Sequence, residues 1–173
     1  MILDAFKAWL LLFVAVLAQV SVLSGYTLLG GAPDLVLVTL LALALLRGSI
    51  FGAVAGFGAG LLLDIAYLDT LGFTSLLLTL AGFWIGRYGE TTARDRFHAP
   101  LLSVGVVTVL YVLGAIVLRF VLGDPVPAGE VLAGLPGVVL LNLVLTLPVY
   151  ALVRRLFPPA AATARVREVR LLG

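Results

Sequence analysis

Long apolar runs, each stopped by a short charged or turn-forming break, dominate this chain. Ala8–Leu29 follows Asp4 and Lys7, and Ser49–Tyr67 is apolar except for Asp64 near its end. Leu71–Tyr88 follows Asp69-Thr70, Ala99–Leu122 ends at Gly123-Asp124-Pro125, and Val131–Phe157 ends at Pro158-Pro159. A spanning helix needs about 20 apolar residues at roughly 1.5 Å each, and these five runs meet that length. A soluble fold could not hide them, because 62% hydrophobic against 12% charged residues leaves too little polar side chain to cover an exterior. In lipid an apolar exterior is the solvated one, and a helix satisfies its own backbone. The expectation is an all-α polytopic membrane bundle. The run from Ala8 to Leu23 exceeds a signal-peptide core of roughly 7–15 residues and lacks an A-x-A cleavage pattern, so it reads as a retained first span.

Pro33–Leu46 is harder, because its 14 residues before Arg47-Gly48-Ser49 suit either a short span or a re-entrant piece. Ala32–Tyr67 cannot be one helix: its 36 residues would run about 54 Å, against a bilayer core of about 30 Å. Arg47-Gly48-Ser49 is the natural corner, and Pro33 suits a first helical turn, where its missing N–H costs nothing.

Charge tests this count. With six spans and the N-terminus inside, the inner segments hold Lys7, Arg47, Arg87, Arg94, Arg96, Arg154, Arg155, Arg165, Arg167 and Arg170, leaving Arg119 as the one outer member of the 11 basic residues. Asp34, Asp64, Asp69, Asp124 and Glu130 fall outside. The positive-inside rule then holds at every inner loop, and deleting the short span would invert everything after it. The expected organisation is a six-helix transmembrane domain over residues 1–157, with spans of about 8–29, 33–46, 49–67, 71–88, 99–122 and 131–157. A basic cytoplasmic tail follows over 158–173. Its arginines are topogenic, with anionic lipid headgroups as a possible contact.

Gly48, Gly52, Gly56 and Gly60 recur every fourth residue and share one face of the third helix. Such a groove admits another helix backbone, either a partner's or one within this bundle. Gly82 and Gly86 repeat the spacing on the fourth helix. Asp64 and Asp69 bracket the outer end of the third. Paired carboxylates suit acid–base work or cations, but Asp69 is also placed to cap the fourth helix, and Asp64 lies near the interface. Asn142, with Thr146 and Pro148, and Gln19 in the first helix read as interhelical hydrogen-bonding groups, and Pro148 frees a carbonyl. Arg47 reads as a headgroup anchor and His98 as solvated.

The chain has no cysteine and one histidine, which excludes disulfides, thiolate metal sites and Cys nucleophiles. It has no phosphate loop, no H-E-x-x-H and no G-x-S-x-G. Its scattered basic residues lack interleaved aromatics, so nucleic acid is not an expected partner. Neither a cofactor nor a metal is expected.

The ordered features are Gln19, then Ala32-Pro33-Asp34-Leu35-Val36-Leu37-Val38, then Arg47-Gly48, then Gly52-x-x-x-Gly56-Phe57-x-x-Gly60-Leu61-Leu62-Leu63-Asp64. Leu71-Gly72 follows, and Asn142-Leu143-Val144-Leu145-Thr146-Leu147-Pro148 precedes a pair of arginines. This set resembles the rod shape-determining MreD family over essentially the whole chain. The resemblance implies a multi-pass protein of the bacterial cytoplasmic membrane, acting with MreC, MreB and the elongation glycosyltransferase and transpeptidase in lateral peptidoglycan synthesis and cell shape. It implies no catalysis, and a fold similar to the substrate-binding subunits of energy-coupling-factor transporters. Gly52, Gly56, Gly60, Asp64, Leu71, Gly72 and Asn142 are the candidates for packing or contact with the MreC membrane helix. Competing readings are a vitamin-type substrate-binding subunit, which would expect A-x-x-x-A spacing on the first helix where this chain has Ala15 and Ala18, and a cation-coupled carrier using Asp64. Homo-oligomerisation is left open.

Overall fold

A computed structural model describes residues 2–23, 31–91 and 99–157. These form six α-helices: α1 (Ile2–Ser21), α2 (Leu35–Arg47), α3 (Ser49–Tyr67), α4 (Phe73–Thr91), α5 (Ala99–Val121) and α6 (Ala128–Leu156). No strand occurs among the described residues. The expected order stands, with shifted ends. α1 starts at Ile2 rather than at residue 8 and stops at Ser21, and residues 24–29 of that expected span lie outside the described residues, as do the loop of Arg94, Arg96 and His98 and the tail 158–173. α4 runs past Tyr88 to include Glu90. Pro33 lies outside α2, whose N-cap is Asp34, its carboxylate accepting from the Leu37 N–H at 2.8 Å.

α2 is the centre of the bundle. It packs against all five other helices, and Val36 through Leu45 are buried on every face. An apolar run this short is a core helix shielded from lipid by its neighbours. Its stop is the Arg47-Gly48 corner, where Gly48 takes φ 96°, a backbone that L side chains rarely adopt. Arg47 lies over the Phe157 ring at 5.0 Å, so the end of α6 closes the same corner.

The outer helices face the other way. Phe6, Leu10, Phe13 and Leu17 on α1, Leu110, Val117 and Phe120 on α5, and Val144 and Leu147 on α6 are all exposed. Ser49–Tyr67, Pro100–Val121 and Ala128–Leu156 are long and apolar enough to cross a membrane. An apolar exterior around an apolar core is the pattern of a protein dissolved in lipid.

Candidate functional site

Four of the expected site residues lie along one seam, between α3 and α4, and a fifth closes it. A Cβ on Gly52 would fall on the Gly82 carbonyl, one on Gly56 on the Leu78 carbonyl, and one on Gly60 on the Ser75 backbone. Gly82 and Gly86 reciprocate against the Gly52 carbonyl and the Gly48-Ser49 backbone, and Gly89 against Leu45 of α2. The two backbones therefore meet along the whole length of the pair. The glycine groove is filled by the chain's own next helix, which is the internal-packing alternative of the two that the spacing allowed.

Each end of this seam is tied by a carboxylate from the opposite helix. Asp64, near the end of α3 and 1% exposed, accepts from the N–H groups of Gly72 (2.8 Å), Thr74 (2.9 Å) and Ser75 (3.4 Å). These are N–H groups that the start of α4 leaves without intrahelical partners. The cap expected of Asp69 thus belongs to Asp64. Gly72 is needed at φ 93° to turn its N–H into the carboxylate. At the other end Glu90 of α4 accepts from the Ser49 N–H (2.8 Å) and hydroxyl (2.9 Å), capping α3. Those two hydrogen bonds hold the Glu90 carboxyl below its ordinary range. Nothing in the sequence flagged Glu90, because its partner lies 41 residues away.

Asp69 instead pairs with Arg119, which also reaches Asp124 at 3.1 Å and lies over the Phe73 ring at 4.8 Å. This explains the one basic residue on the acidic side of the charge pattern. Leu71, another expected site residue, makes no burial of this kind and is 68% exposed.

Asn142 belongs to a second cluster, at the start of α2. Fully buried, its Oδ1 accepts from the Asp34 N–H (2.7 Å) and its Nδ2 donates to the Thr108 hydroxyl (3.1 Å). Gln19 donates to the Pro33 carbonyl (3.1 Å) and accepts from the Leu35 N–H (2.8 Å). Residues of α1, α5 and α6 thus clamp the segment entering α2. The interhelical roles expected of Gln19 and Asn142 are met, and Thr108 is the partner that sequence reasoning missed.

The chemistry of both clusters is saturation. Asp64 spends its oxygens on helix N–H groups, Glu90 gives one oxygen to Ser49 and turns the other to Arg87 at 3.6 Å, and Asn142 uses both ends of its amide. Among the described residues no group of three or more His, Cys, Asp or Glu side chains is gathered as a metal would need.

A family model described as rod shape-determining protein MreD matches residues 2–157. No curated protein and no solved structure matches the chain, so these comparisons add no support for a likeness to the transporter subunits.

Proposed function

Because the chain belongs to the rod shape-determining protein MreD family, we propose that it is a non-catalytic membrane scaffold of the bacterial elongation machinery. In this reading it binds the membrane helix of MreC, and through it serves MreB and the glycosyltransferase and transpeptidase of lateral peptidoglycan synthesis. The family match over residues 2–157 carries the reading. The geometry supports it: the polar groups of the two clusters are spent on holding helices together, as in a rigid platform. We further propose that all six helices cross or fill the cytoplasmic membrane with both ends inside. Lys7, Arg47, Arg87, Arg154 and Arg155 then lie on one side, as the positive-inside rule asks.

The glycine seam is internal, so the MreC helix is assigned to an outer face of the bundle. Gly52, Gly56, Gly60, Asp64, Gly72 and Asn142 then act by shaping that face. The test is co-expression with the host's MreC and purification through a tag on this chain alone. A stoichiometric pair that survives detergent is the expected result. A stable chain that emerges alone overturns the scaffold reading and turns attention to small-molecule ligands, scored by a raised thermal midpoint.

A further inference from the structure

The α3–α4 turn carries two exposed apolar side chains that its capping does not use. Leu68 sits at φ 54°, the only positive φ of a non-glycine residue described, at a position where glycine or asparagine is the usual choice. It is also 92% exposed, and Leu71, three residues on, is 68% exposed. The C-cap of α3 accounts for the backbone at Leu68, but not for a large apolar side chain held out at the tip of a hairpin where glycine would serve. Of the tip residues 68–71 only Asp69 carries a charge, and it pairs with Arg119.

Helix length places the tip. α3 has 19 residues, so it rises about 28 Å from the Arg47-Gly48 corner. The hydrocarbon core is about 30 Å thick. With the Arg47 and Arg87 end at one headgroup layer, α3 ends at or below the opposite boundary. α6, with 29 residues or about 43 Å, reaches well past it. The α3–α4 hairpin is thus the short side of an uneven bundle.

We propose that the Leu68–Leu71 tip lies in the outer leaflet rather than in water, with both leucines inserted into lipid and the leaflet dipping to meet them. A local dip is how a bilayer accommodates a short hydrophobic element.

The chain has no cysteine, so single labels are clean. Leu68→Cys and Leu71→Cys, each at an exposed position, are spin-labelled in full-length protein in phosphatidylethanolamine/phosphatidylglycerol vesicles. Collisions with oxygen report lipid, and collisions with a water-soluble nickel chelate report water. Phe57→Cys, on the exposed side of α3, is the lipid reference, and Gly129→Cys, at the outer start of α6 with open space around it, is the aqueous one. The expected result is that both tip labels match the Phe57 label in their oxygen-to-nickel ratio. A water-like ratio at either position overturns the proposal. A water-like ratio in the protein alone, with oxygen and nickel collisions both falling when MreC is co-reconstituted, overturns it in favour of a protein contact at the tip.

Discussion

The α3–α4 and α5–α6 pairs are both consecutive antiparallel helices, yet they are joined by different means. Between α3 and α4 the glycines bring backbone against backbone, and a Cβ at Gly52, Gly56 or Gly60 has nowhere to go. Between α5 and α6 side chains keep the helices apart: a Cβ on Gly105 would meet the nearest atom, on Leu143, at an ordinary 3.9 Å. A buried hydrogen bond, Asn142 to Thr108, links that pair. In lipid, burial gives helices no net attraction, so close packing and interhelical hydrogen bonds must supply it. The α3–α4 pair uses both, with backbone packing along its length and hydrogen bonds at its ends, and the α5–α6 pair does without the backbone contact.

The sharpest way to break the comparison is to overfill the seam. Gly56→Leu should cost about 3 kcal/mol or more, the upper end of overpacking costs, because the obstruction is main chain and cannot rotate aside. Gly105→Ala should be neutral or stabilising by up to about 1 kcal/mol, the helix preference of alanine over glycine. Thermal midpoints in one detergent decide it, and equal losses from the two substitutions would refute backbone contact as the distinguishing feature.

Asp64→Ala should follow, at about 3 kcal/mol, since it strips the acceptor from three N–H groups in a buried site. Asp64→Asn should recover part of that. Hydrogen exchange at Gly72 and Thr74 should rise in the alanine variant, and unchanged protection there would move the cap elsewhere.

Asn142→Leu should cost less, about 1–2 kcal/mol, by leaving the half-buried Asp34 N–H unpaired. A double-mutant cycle with Thr108→Val should show coupling, whereas additive losses would mean that the 3.1 Å contact carries no energy.

Glu90→Gln should give the smallest change, and one that depends on pH. The folded Glu90 carboxyl titrates below its ordinary value of 4.5. Its contribution is therefore complete above that value and is lost as pH falls through the lower, folded one. The thermal midpoint of the parent should fall toward that of the glutamine variant over this acid window. A gap that stays constant with pH would exclude the carboxylate as the source.

Much of this was legible in the sequence, for a local reason. Lipid residence follows from apolar runs too long and too numerous for water, and six helices follow from breaks such as Arg47-Gly48-Ser49 and Gly123-Asp124-Pro125. The four-residue glycine spacing put Gly52, Gly56 and Gly60 on one face before any partner was known, because helical periodicity depends only on the chain itself. What filled that face was decided by tertiary structure, since a groove for a helix backbone does not specify whose. The same limit explains the caps. Asp69 lies closer in sequence to the start of α4, but the turn through Leu68 and Gly72 aims those N–H groups at Asp64 and leaves Asp69 to Arg119, 50 residues on. Glu90 was invisible for this reason, and so was the burial of α2, which looked like a marginal span while five other helices supplied its solvent. Sequence by itself determined the solvent, the helices and their small-residue faces; the pairing of donors with acceptors across tens of residues needed the bundle, because that geometry exists only once the helices have met.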